Sequence, residues 1–238
     1  MRSRIRSLSS VLAITILMVI IAGAKCYGQT PSASDILARY IAASGGEAAL
    51  RAVTTRVLEG HVVAPGGKAR LEIVEAAPDR FLRIIDSPVS GHSENGYDGR
   101  VAWTANAQGT RRMLGPQVGM VTRELHLRRP LAMKEQYATF SSSRRDTLGG
   151  AEVFAISATT ADSVSETLYF DQRTGLLAGW DVEVAGTTIR NRLEDYRRVD
   201  GVMVPFRVIR SRPDFRWSEE FDAIHQNVPV DTTRFSKA

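Results

Sequence analysis

The sequence predicts a mainly β protein of the α+β class, in which a long antiparallel sheet is interrupted by two helical segments. About ten short segments alternate apolar and polar residues, and turn dipeptides such as Pro78-Asp79 and Asp200-Gly201 separate them. Helical spacing of apolar residues occurs near the start and in the middle of the chain. A flat open sheet of this size would leave long exposed edges. We therefore expect a strongly curved sheet or a partly closed barrel, with the helical segments over its concave side.

The first 28 residues have the pattern of a cleaved secretory signal peptide. Three arginines precede an apolar run at 11–22, which is shorter than the about 20 residues that a membrane span needs. Cleavage after Ala24 or after Gly28 fits the small residues there, and the polar lead-in at 29–33 favours Gly28. We expect export to the periplasm and a single domain at 34–238, with an uncleaved anchor as the alternative.

The single cysteine, Cys26, falls within this predicted signal peptide. A bacterial lipobox has a small residue before its acylated cysteine, whereas Lys25 stands there, so we interpret Cys26 as part of the removed peptide; acylation stays the alternative. Disulfides and thiol catalysis are then not expected. Removing residues 1–28 takes away four basic and no acidic side chains, so the net charge falls from +5 to +1. With no concentrated basic stripe left, nucleic-acid binding is disfavoured.

The first helical segment is predicted to begin at Ser34 as N-cap and to end at Gly45-Gly46, with a short helical turn at 47–53 after it. Strands follow in two series. Pro205 lies within one of them, which predicts an edge strand or a bulge there. The predicted strands are 57–63, 69–75, 80–86, 89–97, 101–105, 152–159, 166–171, 176–184, 187–196, 202–210 and 216–225, with a resumption near Phe140.

The second helical segment lies between Gly115-Pro116 and Pro130, and a shorter helix is predicted at 131–137. Its apolar residues are spaced by four, three and four positions, which places them on one helix face. They are Leu114, Val118, Val121 and Leu125.

Catalytic and metal-binding patterns are absent from the sequence. The histidines are scattered, with no pair at metal-binding helical spacing and no H-E-x-x-H motif. Neither a G-x-S-x-G nucleophile turn nor a phosphate-binding glycine loop occurs. We therefore expect no enzymatic activity, no metal and no cofactor.

Five stretches resemble, in their order and spacing, those of a known family. They read ILARYIAASGGEAALRAVTTRVLEGHV, APDRFLRI, NGYDGRVAW, LYFDQRTGLL and DYRRVDGVMVPFRV. The chain resembles, over about 34–235, the exported proteins related to the outer-membrane lipoprotein-sorting carriers, the LolA/LolB-like superfamily. The resemblance implies an unclosed antiparallel β-barrel, capped by an N-terminal helix and a central helical insertion, whose apolar interior holds acyl chains. The chain departs from the family at Ala77, where the lipoprotein carriers usually have an arginine that helps to hold the helical lid.

The partner expected from this resemblance is a lipid or the acyl chain of a lipoprotein, bound in an apolar cavity. Burying an acyl chain gains about 0.8 kcal/mol per methylene, so such a cavity needs no special side chain. The alternative is an ordinary filled core on a scaffold that docks onto an envelope protein. Candidates for the barrel wall are Phe81, Trp103, Trp180, Phe206 and Trp217, and candidates for the inner face of the lid are Leu114, Val118, Val121 and Leu125.

Overall fold

The computed structural model describes residues 30–237, so the predicted signal peptide, its cleavage sites and Cys26 lie outside the described residues. The α-helices are α1 (Ala33–Ala43), α2 (Gly46–Ala52), α3 (Pro116–Glu124) and α4 (Arg129–Gln136), and a 3₁₀ turn spans Thr232–Phe235. The first strands are β1 (Thr55–Ala64), β2 (Gly67–Ala76), β3 (Arg80–Ser87), β4 (Gly91–Tyr97), β5 (Ala102–Asn106), β6 (Gly109–Arg112) and β7 (Thr139–Phe140). The others are β8 (Arg144–Leu148), β9 (Ala151–Thr159), β10 (Ser165–Asp171), β11 (Leu177–Val184), β12 (Thr187–Val199), β13 (Val202–Arg212) and β14 (Phe215–Gln226).

The strands form one antiparallel sheet that does not close on itself. Its order is β6-β5-β4-β3-β2-β1-β14-β13-β12-β11-β10-β9-β7, and β8 pairs with β9 off this path. Successive hairpins build the two halves, and β1 joins them because it pairs with both β2 and β14. The terminal strands β6 and β7 do not pair with each other, so the sheet is the unclosed barrel that the sequence predicts.

Helix α1 begins at a capping box, and its N-cap is Ser32 rather than the predicted Ser34. The Ser32 hydroxyl accepts a hydrogen bond from the Asp35 backbone N–H at 3.2 Å, and the Asp35 carboxylate accepts one from the Ser32 N–H at 3.3 Å. This arrangement needs an acidic or amide side chain three residues after the cap. Ser34 is followed at that distance by Leu37, which is buried, so the prediction of Ser34 was wrong.

Most strands match the predicted ranges to within a few residues, and the strands that were missed are short or polar. All four residues of β6 are exposed, and β8, which reads RRDTL, buries only Leu148. Neither strand offers the apolar alternation on which strand prediction depends. The prediction of an edge strand at Pro205 is corrected, because β13 lies between β12 and β14 in the sheet. Since β13 pairs with β14 only from Arg207 onwards, Pro205 itself is paired with β12 alone.

The four helices cover one face of the sheet, which we call the inner face. Ile36 and Leu37 of α1 and Met133 of α4 pack with β9 to β11, whereas Leu50 of α2 packs with β1, β2, β13 and β14. The opposite, outer face of β2 and β3 is covered by the C-terminal segment around Phe235. Side chains alternate between the faces along each strand. Within residues 30–237, no helix is long and apolar enough to cross a membrane.

Candidate functional site

Two adjoining cavities lie between the helices and the inner face of the sheet. Chamber 1 has a volume of about 240 Å³, and chamber 2 has a volume of about 120 Å³. Both are bounded by Glu124, Leu125, Arg129, Trp180 and Arg210, so these residues mark their junction. Pockets that bind drug-sized molecules have volumes of roughly 300–1,000 Å³. The interior is therefore largely filled by its own side chains and leaves room for a slender ligand.

Chamber 2 is mainly apolar. Its walls come from α2, the segment between α3 and α4, and the strands β1, β2, β13 and β14. They include Leu50, Leu58, Ile73, Leu127, Val204, Val208 and Phe221. An ion pair also borders it, in which Arg56 Nη1 donates to Glu75 Oε2 at 3.0 Å. Burial raises the pKa of Glu75, and the charge of Arg56 offsets this only in part.

Chamber 1 is crossed by a buried network of charged side chains. Arg210 on β13 donates hydrogen bonds to Asn191 Oδ1 at 2.8 Å and to Glu219 Oε2 at 3.2 Å, and it also pairs with Glu124 of α3. Arg83 on β3 donates to the other oxygen of Glu219. Burial acts to raise the pKa of Glu219, but the charges of Arg210 and Arg83 outweigh burial and hold this pKa below its usual range. The network therefore joins four strands, β3, β12, β13 and β14, to helix α3.

A second buried ion pair ties α3 to β10. The Nε and Nη2 atoms of Arg123 donate to Glu166 Oε1 at 3.1 and 2.8 Å, and the Tyr137 hydroxyl donates to Glu166 Oε2 at 2.5 Å. Burial raises the pKa of Tyr137, and the charge of Glu166 raises it further, so Tyr137 stays a donor at neutral pH. Two consecutive residues of α3, Arg123 and Glu124, thus fix this helix over the sheet.

The sequence analysis missed these charged residues, although two of them lie at positions where strand alternation places a side chain on the inner face. Val204, Phe206 and Val208 precede Arg210 at intervals of two residues, and Glu219 precedes Phe221 in the same way. A charged residue that continues a series of inward-facing apolar residues predicts a charged side chain on the inner face. This pattern does not predict which residue pairs with that charge.

Arg129 differs from the other arginines at the chambers. Its guanidinium carbon lies 4.0 Å from the centre of the Trp180 ring. Among residues 30–237, its guanidinium makes no hydrogen bond and has no carboxylate within ion-pair distance, and its Nε atom is buried without a partner. Arg129 begins α4 and borders both chambers.

Four of the predicted site residues line the chambers. Trp180 and Leu125 border both, whereas Val121 and Trp217 border chamber 1. The structure thus brings together residues from α3, β11 and β14. Their contact with a ligand stays a prediction.

The other two residues predicted on the lid lie elsewhere. Val118 is half-buried in α3 and borders neither chamber. Leu114 precedes α3, which begins only at Pro116, and it is 70% exposed. Gly115 between them has a φ of 61°, so the helical spacing does not extend back to Leu114. The placement of Leu114 on the inner face of the lid is therefore corrected.

The remaining wall candidates are buried outside the chambers. Phe81 is fully buried, 6.1 Å from the Tyr97 ring, and Phe206 packs in the core with Val204 and Val208. Trp103 lies on the outer face, where its indole N–H donates to the Phe235 carbonyl at 2.8 Å. The structure corrects the assignment of Trp103 to the cavity wall, because the C-terminal segment, which strand alternation does not predict, covers this side chain.

Within residues 30–237, no group of three or more His, Cys, Asp or Glu side chains is placed to hold a metal ion.

No family model matches the sequence, and no curated protein matches it. Solved structures do match. An outer membrane lipoprotein-sorting protein domain from Vibrio parahaemolyticus superposes with a TM-score of 0.59 at 12% identity, covering 84% of this chain and 94% of that one. A LolA superfamily protein from Nitrosomonas europaea gives 0.60 at 15% identity, covering 87% and 99%.

A DUF1329 family protein from Desulfovibrio piger also gives a TM-score of 0.60, at 11% identity, and the match covers 87% of this chain and 98% of that one. Identities this low show the fold alone. The long unclosed antiparallel sheet with helices over its inner face is therefore a LolA-like fold.

Proposed function

We propose that this protein is an exported, non-enzymatic carrier or binder of a lipid or of a lipidated protein. The observation that carries this proposal is chamber 2, an apolar cavity enclosed between the helices and the inner face of the sheet. The LolA-like fold supports it, since one of the matching structures is named as a lipoprotein-sorting domain.

The apolar walls are sufficient for weak to moderate binding of an acyl chain. Six buried methylenes gain about 5 kcal/mol, and a net binding free energy of about 4 kcal/mol corresponds to a dissociation constant near 1 mM. Ordering the ligand and the helices subtracts from this gain. Contacts to the ligand's head group are therefore needed, in addition to burial of the acyl chain, for binding tighter than this.

Export to the periplasm is part of the proposal, and it rests on the signal-peptide pattern in residues 1–28. The intact mass of the protein isolated from the envelope tests it. A mass beginning at Gln29 supports cleavage after Gly28 and a domain at 34–238. A mass that retains residues 1–28 contradicts export by a cleaved signal, and an added acyl mass on Cys26 contradicts our interpretation of that residue.

The ligand is tested by purifying the protein from its native envelope and analysing the extract by lipid mass spectrometry. We expect a co-purifying lipid and displacement of a fluorescent fatty acid from the purified protein. The absence of both results would refute the carrier proposal.

A second candidate function is an envelope interaction module with a filled interior. The buried ion pairs across chamber 1 favour it, because they occupy space that a large ligand would need. In this case, no lipid co-purifies, and chemical cross-linking in intact cells captures an envelope protein. A bound lipid with no cross-linked protein would contradict this second function.

A further inference from the structure

The junction of the two chambers carries an uncompensated positive charge. Five arginines and four glutamates border the two chambers. Every one of them except one arginine forms an ion pair with another member of this set. Arg56 pairs with Glu75, and Arg123 pairs with Glu166. Arg83 and Arg210 share Glu219, and Arg210 also takes Glu124. Arg129 alone in this set has no carboxylate within ion-pair distance in the part of the chain that the structure describes.

The surroundings of Arg129 stabilise its charge without neutralising it. The guanidinium stacks on Trp180, and a cation over an indole face is favourable. The phenols of Tyr40 and Tyr196 lie close enough to feel this charge. Burial raises the pKa of both, and Arg129 opposes this effect. Arg129 is half-buried and its Nε atom is fully buried, so an anionic ligand at this position gains more than it would at an exposed arginine.

We propose that Arg129 binds the anionic head group of a single-chain amphiphile whose hydrocarbon tail occupies chamber 2. This inference rests on the proposed function and names its ligand class. A carboxylate or a phosphate matches the planar guanidinium, which donates two parallel hydrogen bonds to either group. We place the tail in chamber 2, because charged side chains are six of the 23 residues that border it, against six of the 15 that border chamber 1.

The size of the cavities limits the ligand to one chain. Chamber 2, at about 120 Å³, is smaller than a drug-sized pocket. The ion pair of Glu124 and Arg210 stands at the junction of the chambers, so charged side chains occupy part of the passage that a second tail would need. Lipids with several chains would need a rearranged interior.

The test compares decanoate, decyl phosphate and decanol by isothermal titration calorimetry. The full-length mature protein is used as wild type, R129M and R129K. R145M is the matched control, because Arg145 also stacks on an aromatic ring, that of Phe154 at 5.7 Å, but borders neither chamber. Circular dichroism and thermal unfolding establish that each variant is folded.

We expect wild type and R145M to bind one or both anionic ligands about 10- to 100-fold more tightly than decanol, which is the range for a hydrogen bond to a charged group. R129M should lose this preference while its affinity for decanol stays within about twofold, a change well below one such hydrogen bond. R129K should keep part of the preference, because lysine retains the positive charge but cannot donate two parallel hydrogen bonds to one anionic group. The better of decanoate and decyl phosphate identifies the head group.

Equal binding of the acid and the alcohol by wild type would overturn the role of Arg129 while leaving the carrier function intact. The same holds if R129M weakens both ligands equally, since Arg129 would then act only as part of the wall. If wild type binds none of the three ligands, the proposed function itself fails. The comparison of ligands on wild type needs no variant, so misfolding of R129M does not remove the test.

Discussion

Replacing Glu219 by leucine should destabilise the protein strongly, whereas the same change at the next residue, Glu220, should not. Glu219 is 1% exposed and pairs with Arg83 and Arg210. Its removal leaves the buried Arg210 with one carboxylate fewer and the partly buried Arg83 with none, and breaking a buried pair in this way costs about 3–5 kcal/mol. For a chain of this size, that loss lowers the melting temperature by about 6–20 °C.

Glu220 is the matched control because it lies next to Glu219 on β14 but is solvent-accessible. Its carboxylate lies 3.4 Å from Arg207 Nε, and its side chain is 40% exposed. Pairs of this kind contribute about 0–1 kcal/mol. Urea unfolding followed by tryptophan fluorescence measures both variants. Equal losses for E219L and E220L, or a loss below about 1 kcal/mol for E219L, would refute the structural role of the buried network.

Three further predictions concern the pairs and the chambers. The pKa of Glu219 is lowered in the folded protein, so the ionised carboxylate stabilises the fold above the unfolded pKa, near 4.3. This stabilisation is lost as the pH falls through the folded pKa. In E219Q, the unfolding free energy should therefore fall less steeply between about pH 5 and pH 3 than in the wild type. R56M should lower the free energy of unfolding in urea by about 3–5 kcal/mol, because it leaves the buried Glu75 carboxylate without its partner. In R56M/E75L, which removes both charges, the unfolding free energy should return to about the wild-type value. A double variant as unstable as R56M would contradict this. L125D, at the junction of the chambers, should weaken binding of a fluorescent fatty acid at least about tenfold, because the new carboxylate replaces apolar wall and competes with the ligand's head group for Arg129. V118D in α3, which borders neither chamber, should not. Equal effects, or a loss of the far-UV β signal, would show that Leu125 is plain core.

The fold was largely predictable because its signals are local. Strand alternation and turn dipeptides such as Asp200-Gly201 give the hairpins in order, and consecutive hairpins generate the sheet. The pairing of β1 with β14 is not local, because the paired residues Arg56 and Gln226 are 170 positions apart in the sequence. The number of strands already predicted a curved sheet or a partly closed barrel, and the resemblance to a known family implied that the barrel is unclosed.

The candidate site was less predictable, because its decisive contacts join distant residues. Arg123 and Glu166 come from a helix and a strand, and no spacing rule relates them. The apolar residues of the lid were identified by helical periodicity, which correctly places Val121 but says nothing of the charged residues beside it. Trp103 was predicted in the cavity wall because it is a large aromatic residue on a strand. Instead, it is buried on the outer face, where the C-terminal segment around Phe235 covers it.

The buried pairs of α3 also bear on the departure at Ala77. In the lipoprotein carriers that this sequence resembles, an arginine at that position helps to hold the helical lid, whereas this chain has alanine there. The nearby Arg80 donates to the Ala77 carbonyl at 3.2 Å, but its guanidinium stacks on Phe235 of the outer face. Helix α3 is instead held to the sheet by two ion pairs of its own residues, Arg123 with Glu166 and Glu124 with Arg210. Any movement of α3 away from the sheet must break both pairs and leave buried charges without partners, which is costly. A ligand that enters without such movement must be slender, and this requirement agrees with a single chain whose head group stays at Arg129.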